Sequence, residues 1–414
     1  MTALAPPMAR IAAIDAVRGF AILGILIMNV VGMAMPGAAY DDPRAYGGAA
    51  GVDLIAWTAG FVVADGKMRG LFTMLFGASM AIVADRAVAR GASPAAVHYQ
   101  RMAWLLVIGL IHAYAIWHGD ILVEYAVTGA ILFFAIRWRP AALFYMALVF
   151  WGIDIAMHVD GWWALDTLRT VAARPDAAPE TIAHWVRLSA PDTAAVAREL
   201  AAYRGDLASV AAARMANALA IQRMLPQLLI ESLGMAALGI GLYRTGYFTR
   251  WPVQVHRALI VAGGIALGLT AWVAIGTADL DPVAMARAKV ASLVLRPAIM
   301  LGYASALILL VANGRRRELG ARLAAAGRMA LTNYLACSIV LTTIFYGYGG
   351  GLFGTLSRAA LVPIVLAMWG LILLWSAPWL AHYRYGPIEW LWRSLARRAL
   401  QPMRIGHKAP RKRD

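Results

Sequence analysis

Long apolar runs separated by short polar connectors dominate this chain of 414 residues. An apolar run near 20 residues is long enough for a helix to cross a bilayer. The pattern therefore predicts an all-α, polytopic membrane helix bundle with about ten spans, at 17–35, 68–85, 102–117, 121–136, 141–158, 225–243, 258–276, 290–312, 329–347 and 359–380. The stretch 54–64 is apolar but too short to cross alone, and we expect an interfacial or re-entrant segment there.

The predicted spans fall into two halves of five, separated by one long polar connector. Residues 1–158 form the N-terminal membrane half, and residues 225–393 form the C-terminal one. Between them, residues 159–224 carry seven basic and seven acidic residues and are predicted to be an extracytoplasmic helical loop. Residues 394–414 are expected to be a basic cytoplasmic tail.

The distribution of basic residues predicts the orientation of the chain. If both termini are cytoplasmic, the inner segments hold 24 Lys and Arg residues and the short outer loops hold six. Cytoplasmic loops of membrane proteins are enriched in these residues, whereas long loops escape the rule. We therefore expect both termini inside the cell and the 159–224 loop outside.

Composition supports the same class of protein. The chain is 61% hydrophobic and 14% charged, with a mean hydropathy of +0.65, whereas soluble proteins are about 45–50% apolar and about 25% charged. The net charge of +16 lies in connectors at the membrane surface, so the expected partner is the lipid bilayer and not a nucleic acid. The only cysteine, Cys337, lies inside an apolar run and predicts no disulfide and no metal site.

Familiar catalytic motifs are absent from the sequence. The segment Gly60-x5-Gly66-Lys67-Met68 has the wrong spacing for a phosphate loop and lacks its Ser or Thr. No HExxH or GxSxG pattern occurs either. These absences argue against an ATP-driven pump, a zinc protease and a hydrolase with a nucleophile elbow.

Five ordered motifs cover nearly the whole chain outside the long loop. They are Arg10-Ile-x3-Asp15-Ala-Val-Arg18-Gly-x9-Asn29, Gly66-Lys67-Met68-Arg69-Gly-Leu-Phe72, Gly109-Leu-Ile-His112-x5-His118-Gly119-Asp120, Gly327-Arg328-Met329-Ala-Leu-Thr332-Asn333-Tyr334 and Gly386-Pro387-Ile-Glu389-Trp390-Leu-Trp392-Arg393. This set resembles the YeiB-like family of bacterial inner-membrane proteins. The resemblance implies a multi-pass protein of the bacterial cytoplasmic membrane.

That family is in turn distantly similar to membrane acyltransferases, such as the O-antigen acetylating enzymes and heparan glucosaminide acetyltransferase. Many of them carry Asp-x2-Arg-Gly and a His eleven residues after the Arg. Here the Arg is Arg18, and the corresponding position is Asn29. Because an amide cannot act as a general base, Asn29 fits better as a hydrogen-bond donor to an oxyanion.

Polar residues inside the predicted spans are the candidate site residues, because burying them in lipid is costly. Five of them lie four to six residues from the outer ends of their spans and predict one polar layer: Asn29, His112, Tyr125, Glu231 and Arg296. Within this layer Glu231 and Arg296 are expected to form an ion pair. Asp120 lies on the following turn, together with His118.

A second group of polar residues lies near the predicted inner face. It comprises Arg18, Asn333, Tyr334, Glu389 and Arg393. Arg18 and Asp15 are three residues apart on a helix and are expected to pair. Arginine recognises phosphate well, so this group is predicted to bind acyl-CoA as a donor substrate, with no resident cofactor. Lys67 and Arg69 of the second motif complete the predicted binding residues.

Two functions are compatible with these residues. The first is transfer of an acyl group from cytoplasmic acyl-CoA to the hydroxyl of an extracytoplasmic glycan or lipid, with His112 as base, oriented by Asp120 or Tyr125. His118 is then the fallback base. A helical drop of roughly 7–8 Å separates His112 from the turn, so direct bonding to Asp120 requires the turn to fold back, and the alternative is a bridge through a water or Tyr125. The alternative is a small-molecule transporter that uses the same outer layer as its binding site.

Overall fold

The computed structural model describes residues 12–277, 279–312 and 317–405. Over these residues the chain consists of helices and their connections, with one isolated antiparallel bridge between Tyr383 and Arg404. The beginning of the first motif, Arg10 and Ile11, and the basic run His407–Asp414 lie outside the described residues.

The helices follow the predicted apolar runs. The N-terminal half forms α1 (Ala12–Ala34), α2 (Ala38–Asp41), α3 (Gly51–Val63), α4 (Lys67–Val88), α5 (Pro94–Ile111), α6 (Leu122–Leu132) and α7 (Pro140–Ala172). The long connector forms α8 (Pro179–Ser189), α9 (Thr193–Arg204) and α10 (Leu207–Arg223). The C-terminal half forms α11 (Leu225–Thr245), α12 (Val253–Ile275), α13 (Pro282–Ala312), α14 (Arg317–Arg328), α15 (Ala330–Phe345), α16 (Val362–His382) and α17 (Pro387–Ala396).

The chain is an all-helical, multi-pass membrane protein. Among the described residues, seven segments are long and apolar enough to cross a membrane, or eight if the bent pair α14 and α15 forms one span. Each of the ten predicted runs lies on a helix, but α5 and α6 do not pass this test individually. The number of ten crossings and the orientation therefore stay predictions.

Helix α1 lies at the centre of the bundle, where it packs against α4, α13, α14 and α15. Small residues bring the backbones close together. A Cβ on Gly19 would lie 1.9 Å from the carbonyl oxygen of Leu323, and a Cβ on Gly327 would lie 1.9 Å from that of Asp15. This contact holds the first and fourth motifs side by side.

Two boundaries add to the sequence prediction. Residues Gly51–Val88 form one apolar helical segment with a break at residues 64–66, and the interfacial or re-entrant placement of α3 stays a prediction. Gly66 permits this break because it adopts φ +68°, which other residues rarely adopt. Helix α7 continues to Ala172, well beyond the predicted end at residue 158.

Candidate functional site

His112 and Asp120 form a buried, directly hydrogen-bonded pair. The Nδ1 atom of His112 lies 2.8 Å from Oδ1 of Asp120, and both side chains are almost fully buried. Because an ionised carboxylate only accepts, Nδ1–H must donate to Asp120 and leave Nε2 as the basic nitrogen. The Nε2 atom is buried, and no described residue forms a hydrogen bond with it.

Of the two predicted arrangements the structure shows the direct contact, which required the turn to fold back. After α5 the chain forms one π-helical turn, His112–Ile116, and then becomes extended at Trp117. This fold-back returns Asp120 to the level of His112, which a regular helix would not allow. The other oxygen of Asp120 accepts from the backbone N–H of Val123 at 2.8 Å, so the pair is fixed to the start of α6.

Glu231 and Arg296 form the predicted ion pair, with 2.8 Å between Oε1 and the guanidinium. The structure adds two further members from two other helices. Arg69 on α4 donates to Glu231, and its guanidinium lies 3.5 Å from Glu124 on α6. Ser232 also donates to Glu124. We call Arg69, Glu124, Glu231 and Arg296 the ion network.

A cavity of about 460 Å³ lies between α1, α4, α5, α6, α15 and α17. A volume of this size falls in the range of ordinary ligand pockets. Seven arginines line it, against the two carboxylates of Asp15 and Glu389: Arg18, Arg86, Arg90, Arg101, Arg328, Arg393 and Arg397. Six of them belong to segments predicted to be cytoplasmic, and Arg18 lies at the predicted inner end of the first span.

Five of these arginines also line an adjacent cavity of about 380 Å³: Arg86, Arg90, Arg101, Arg393 and Arg397. We call this shared region the arginine end. The guanidinium of Arg101 lies 4.1 Å from the ring centre of Trp392, and that of Arg393 lies 4.7 Å from the ring centre of Tyr385. The positive charges of Arg393, Arg397 and Arg18 lie near enough to the guanidinium of Arg101 to repel it. Positive charge concentrated in this way favours a ligand with several negative charges.

The rest of the cavity wall is mostly apolar and aromatic. It includes Ile22, Phe72, Phe76, Leu105, Leu122, Tyr125 and Tyr334. The hydroxyl of Tyr125 lies 3.0 Å from that of Thr73, and its ring stacks against Phe76. The ring of Tyr334 lies 4.9 Å from that of His112. The cavity wall therefore extends from the arginine end to Tyr334, whose ring packs against the imidazole of His112.

Arg18 and Glu389, predicted to bind substrate, stabilise the cavity wall. Arg18 pairs with Asp15 at 3.1 Å, as expected, and donates to Ser79 at 2.6 Å. Glu389 accepts from the backbone N–H groups of Leu331 and Thr332 at the start of α15. A carboxylate in that position stabilises a helix N-terminus.

Three predicted site residues belong neither to the cavity wall, nor to the turn that carries Asp120 and His118, nor to the ion network. Asn333 donates to Ala326 and Ser376 and accepts from Trp375, which gives it a structural role. Asn29 is half-buried and forms no hydrogen bond with the described members of the layer. Lys67, predicted to bind substrate, is fully buried.

Lys67 is held by neutral groups. Its ammonium donates to the carbonyl of Phe61 and to Ser292, both at 2.6 Å. The same ammonium lies 4.9 Å from the ring centre of Phe61. Lys67 thus ties the end of α3 to α13, next to Arg296.

The long connector packs on the turn that carries His118. Helix α10 packs against the π-helical turn, and Arg214 donates to the carbonyl of Tyr114 at 2.9 Å. The hydroxyl of Tyr203 on α9 lies 3.0 Å from Nδ1 of His118. Glu199 accepts from Gly37, and burial raises its pKa above the usual value. These contacts make the connector a helical cap beside the turn.

Comparison with known proteins gives relatives along almost the whole chain. Residues 242–399 match the family described as "Protein of unknown function (DUF418)". The chain is 29% identical over 409 residues to "Uncharacterized protein YeiB" of Escherichia coli (strain K12), covering 95% of this chain and 98% of YeiB. It is also 29% identical over 426 residues to "Uncharacterized protein YxaH" of Bacillus subtilis (strain 168), covering 97% of this chain and 98% of YxaH. The chain is therefore similar to YeiB and YxaH along nearly its whole length.

The more distant similarity to acyltransferases stays a prediction. The YeiB-like motifs nevertheless meet in one place: motif three supplies His112 and Asp120, motif four supplies Tyr334, and motif five supplies Glu389 and Arg393. Motif two supplies Arg69 of the ion network.

Sequence reasoning missed Glu124 and most of the arginine end. Glu124 lies in the predicted span 121–136, so the cost of a buried carboxylate was an available signal. Arg86, Arg90 and Arg101 contributed only to the count of inner charges. Nothing in their spacing indicates that they share a cavity with Arg397 near the end of the chain.

Proposed function

We propose that this protein transfers an acyl group from cytoplasmic acyl-CoA to a hydroxyl acceptor on the other side of the bacterial cytoplasmic membrane. The observation that carries the proposal is the cavity that joins the arginine end to Tyr334, whose ring packs against His112. The bacterial origin of the relatives supports the cytoplasmic membrane as the location.

The two ends of the cavity suit the two parts of an acyl-CoA molecule. The phosphates of its nucleotide carry several negative charges, which guanidinium groups bind through paired hydrogen bonds. Its pantetheine arm and acyl chain are long, narrow and largely uncharged. The arginine end therefore binds the head group, and the wall formed by Phe72, Phe76 and Leu105 surrounds the arm.

The His112–Asp120 pair supplies the base. Nε2 of His112 takes the proton of the acceptor hydroxyl as its oxygen attacks the thioester carbonyl carbon. The carbon–sulfur bond then breaks, and the proton passes from His112 to the leaving thiolate, which gives an ester and free CoA. Asp120 holds Nδ1–H and stabilises the imidazolium that forms between these steps.

The proposal is tested with the purified protein in lipid nanodiscs and acyl-labelled CoA. We expect saturable binding of acyl-CoA that weakens as the salt concentration rises, because charge–charge contacts are screened. Membranes that contain the protein should release free CoA and carry label on a glycan or lipid. The absence of both acyl-CoA binding and label transfer would reject acyl transfer and favour the transport hypothesis.

A further inference from the structure

The ion network joins four helices beside the proposed catalytic pair. Its members come from α4 (Arg69), α6 (Glu124), α11 (Glu231) and α13 (Arg296). We propose that this network is the acceptor site, and that it binds an uncharged ligand rich in hydroxyl groups, such as a glycosyl unit. This inference rests on the proposed function, since it names the acceptor class for the same reaction.

The beginning of α6 connects the network to the reaction centre. Asp120, Glu124 and Tyr125 lie within six consecutive residues there. Asp120 binds His112, Glu124 binds Arg69, and Tyr125 lines the cavity of the proposed donor. Thr73 also links the ion network to the donor cavity. Its hydroxyl donates to the carbonyl of Arg69 at 2.9 Å and lies 3.0 Å from the hydroxyl of Tyr125. A ligand on the network therefore lies next to both His112 and the acyl end of the donor.

The network is buried except at one member. The side chains of Glu124, Glu231 and Arg296 are 4%, 11% and 9% exposed, whereas that of Arg69 is 30% exposed. A guanidinium that faced lipid at this position would be costly. Arg69 is therefore the member through which a ligand reaches the network.

Charged residues on α13 connect the network with the predicted outer surface. Lys289 lies seven residues before Arg296, on the same face of that helix. Its ammonium lies 2.7 Å from Asp41 of α2, and both side chains are exposed. The charged residues thus continue from the surface pair Lys289–Asp41 towards Arg296 and Arg69.

Charge decides the class of ligand. Two guanidinium groups and two carboxylates balance, and the charge of the neighbouring Lys67 is balanced by that of Asp65, so the network exerts little net attraction on an ion. It does offer donors and acceptors side by side. A hydroxyl group donates and accepts at once, and neighbouring hydroxyls match neighbouring Arg and Glu groups. A hydroxyl is also the group that the proposed reaction acylates.

The test uses methyl glucoside as an uncharged probe and glucuronate as its charged counterpart. Thermal unfolding of the protein in nanodiscs measures binding, because a ligand that binds the folded state raises Tm. We expect methyl glucoside to raise the Tm of the wild type in a saturable way, and glucuronate to have a smaller effect. Release of CoA from acyl-CoA is followed in parallel.

Variants separate a binding role from a purely structural one. Glu231→Gln and Glu124→Gln should each weaken methyl glucoside binding by about tenfold, as expected for one lost hydrogen bond to a charged group, while acyl-CoA binding changes less than about twofold. Asp85→Asn is the matched control, because the Asp85–Arg244 pair joins the same helices, α4 and α11, as Arg69 and Glu231 do. It should leave both affinities unchanged.

Ser232→Ala offers a milder change if the charged variants do not fold. It removes the hydroxyl that donates to Glu124 and keeps all four charges, and it should also weaken methyl glucoside binding. An unchanged Tm of the wild type with methyl glucoside, or equal shifts in all variants, would overturn the proposal. If methyl glucoside raises the Tm of the wild type as expected, but the protein neither binds acyl-CoA nor releases CoA from it, the binding site stands and acyl transfer is rejected.

Discussion

The aromatic ring of Tyr334 and the imidazole of His112 are 4.9 Å apart, centre to centre. The hydroxyl of Tyr334 donates to the carbonyl of Gly119 at 3.3 Å, so α15 touches the same turn that carries Asp120. Tyr334 was predicted near the inner face, whereas its contacts place it at the turn expected on the outer side. The turn and the inner group of residues are therefore closer together than a simple reading of span lengths suggests.

The first prediction concerns the His112–Asp120 pair. His112→Ala should lower the rate of acyl transfer from labelled acyl-CoA by about 10²–10⁴-fold, the usual contribution of a general base. Asp120→Asn should also slow the reaction, because it removes the charge that stabilises the imidazolium.

The matched control is His158→Ala. His158 also pairs with a carboxylate, that of Asp154 on α7, at 3.3 Å, but it does not line the cavity. It should retain full activity. If His112→Ala is equally active and His118→Ala is inactive, the base is His118 instead.

The second prediction concerns the arginine end. Arg101→Gln should raise the KM for acyl-CoA by about tenfold and reduce its salt dependence, because one charge-assisted hydrogen bond to phosphate is lost. Arg257→Gln is the control, since Arg257 is exposed and lies outside the cavity. Equal effects of the two changes on KM would contradict a specific donor site.

The third prediction concerns the stability of the ion network. Glu231→Ala should lower the free energy of unfolding by about 3–5 kcal/mol, because it leaves the buried Arg296 without its carboxylate. Asp85→Ala should cost less than about 1 kcal/mol, since the Asp85–Arg244 pair is 26–29% exposed. Unfolding in detergent measures both, and a similar loss in the two variants would argue that the network is no more buried than the control.

The fourth prediction concerns the close crossing of α4 and α11. A Cβ on Gly239 would lie 1.7 Å from the carbonyl oxygen of Met74, and a Cβ on Gly77 would lie 2.0 Å from that of Ala236. Gly239→Ala and Gly77→Ala should therefore force the helices apart and destabilise the fold by about 1–3 kcal/mol or more. Gly264→Ala on α12 should not, because no atom lies within 4 Å of its added Cβ. Tm values of the three variants test this difference.

The fifth prediction concerns orientation. Reporter fusions at residue 200 and at the C-terminus should report opposite sides of the membrane, because 24 of the connector charges fall on the predicted inner side and six on the outer side. The same side for both would contradict ten crossings with the cap outside.

The sequence by itself determined the class of fold, the positions of the helices and several local pairs. Apolar runs carry that information because each span must satisfy its own backbone hydrogen bonds in lipid. The pair Asp15–Arg18 follows from helical spacing alone, and Glu231–Arg296 follows from their equal depth. Motif spacing was sufficient to recognise the YeiB-like relationship.

Only the tertiary structure decided which of these residues meet. The π-helical turn that brings Asp120 to His112 has no signal in apolar periodicity. The burial of Lys67 has none either. The arginine end unites α4 and α5 with α17, which lies about 300 residues further along the chain. Hydrophobicity specifies that a helix lies in lipid, but its rotation and its neighbours depend on small residues and polar contacts between helices. The cavity and the ion network arise from those contacts.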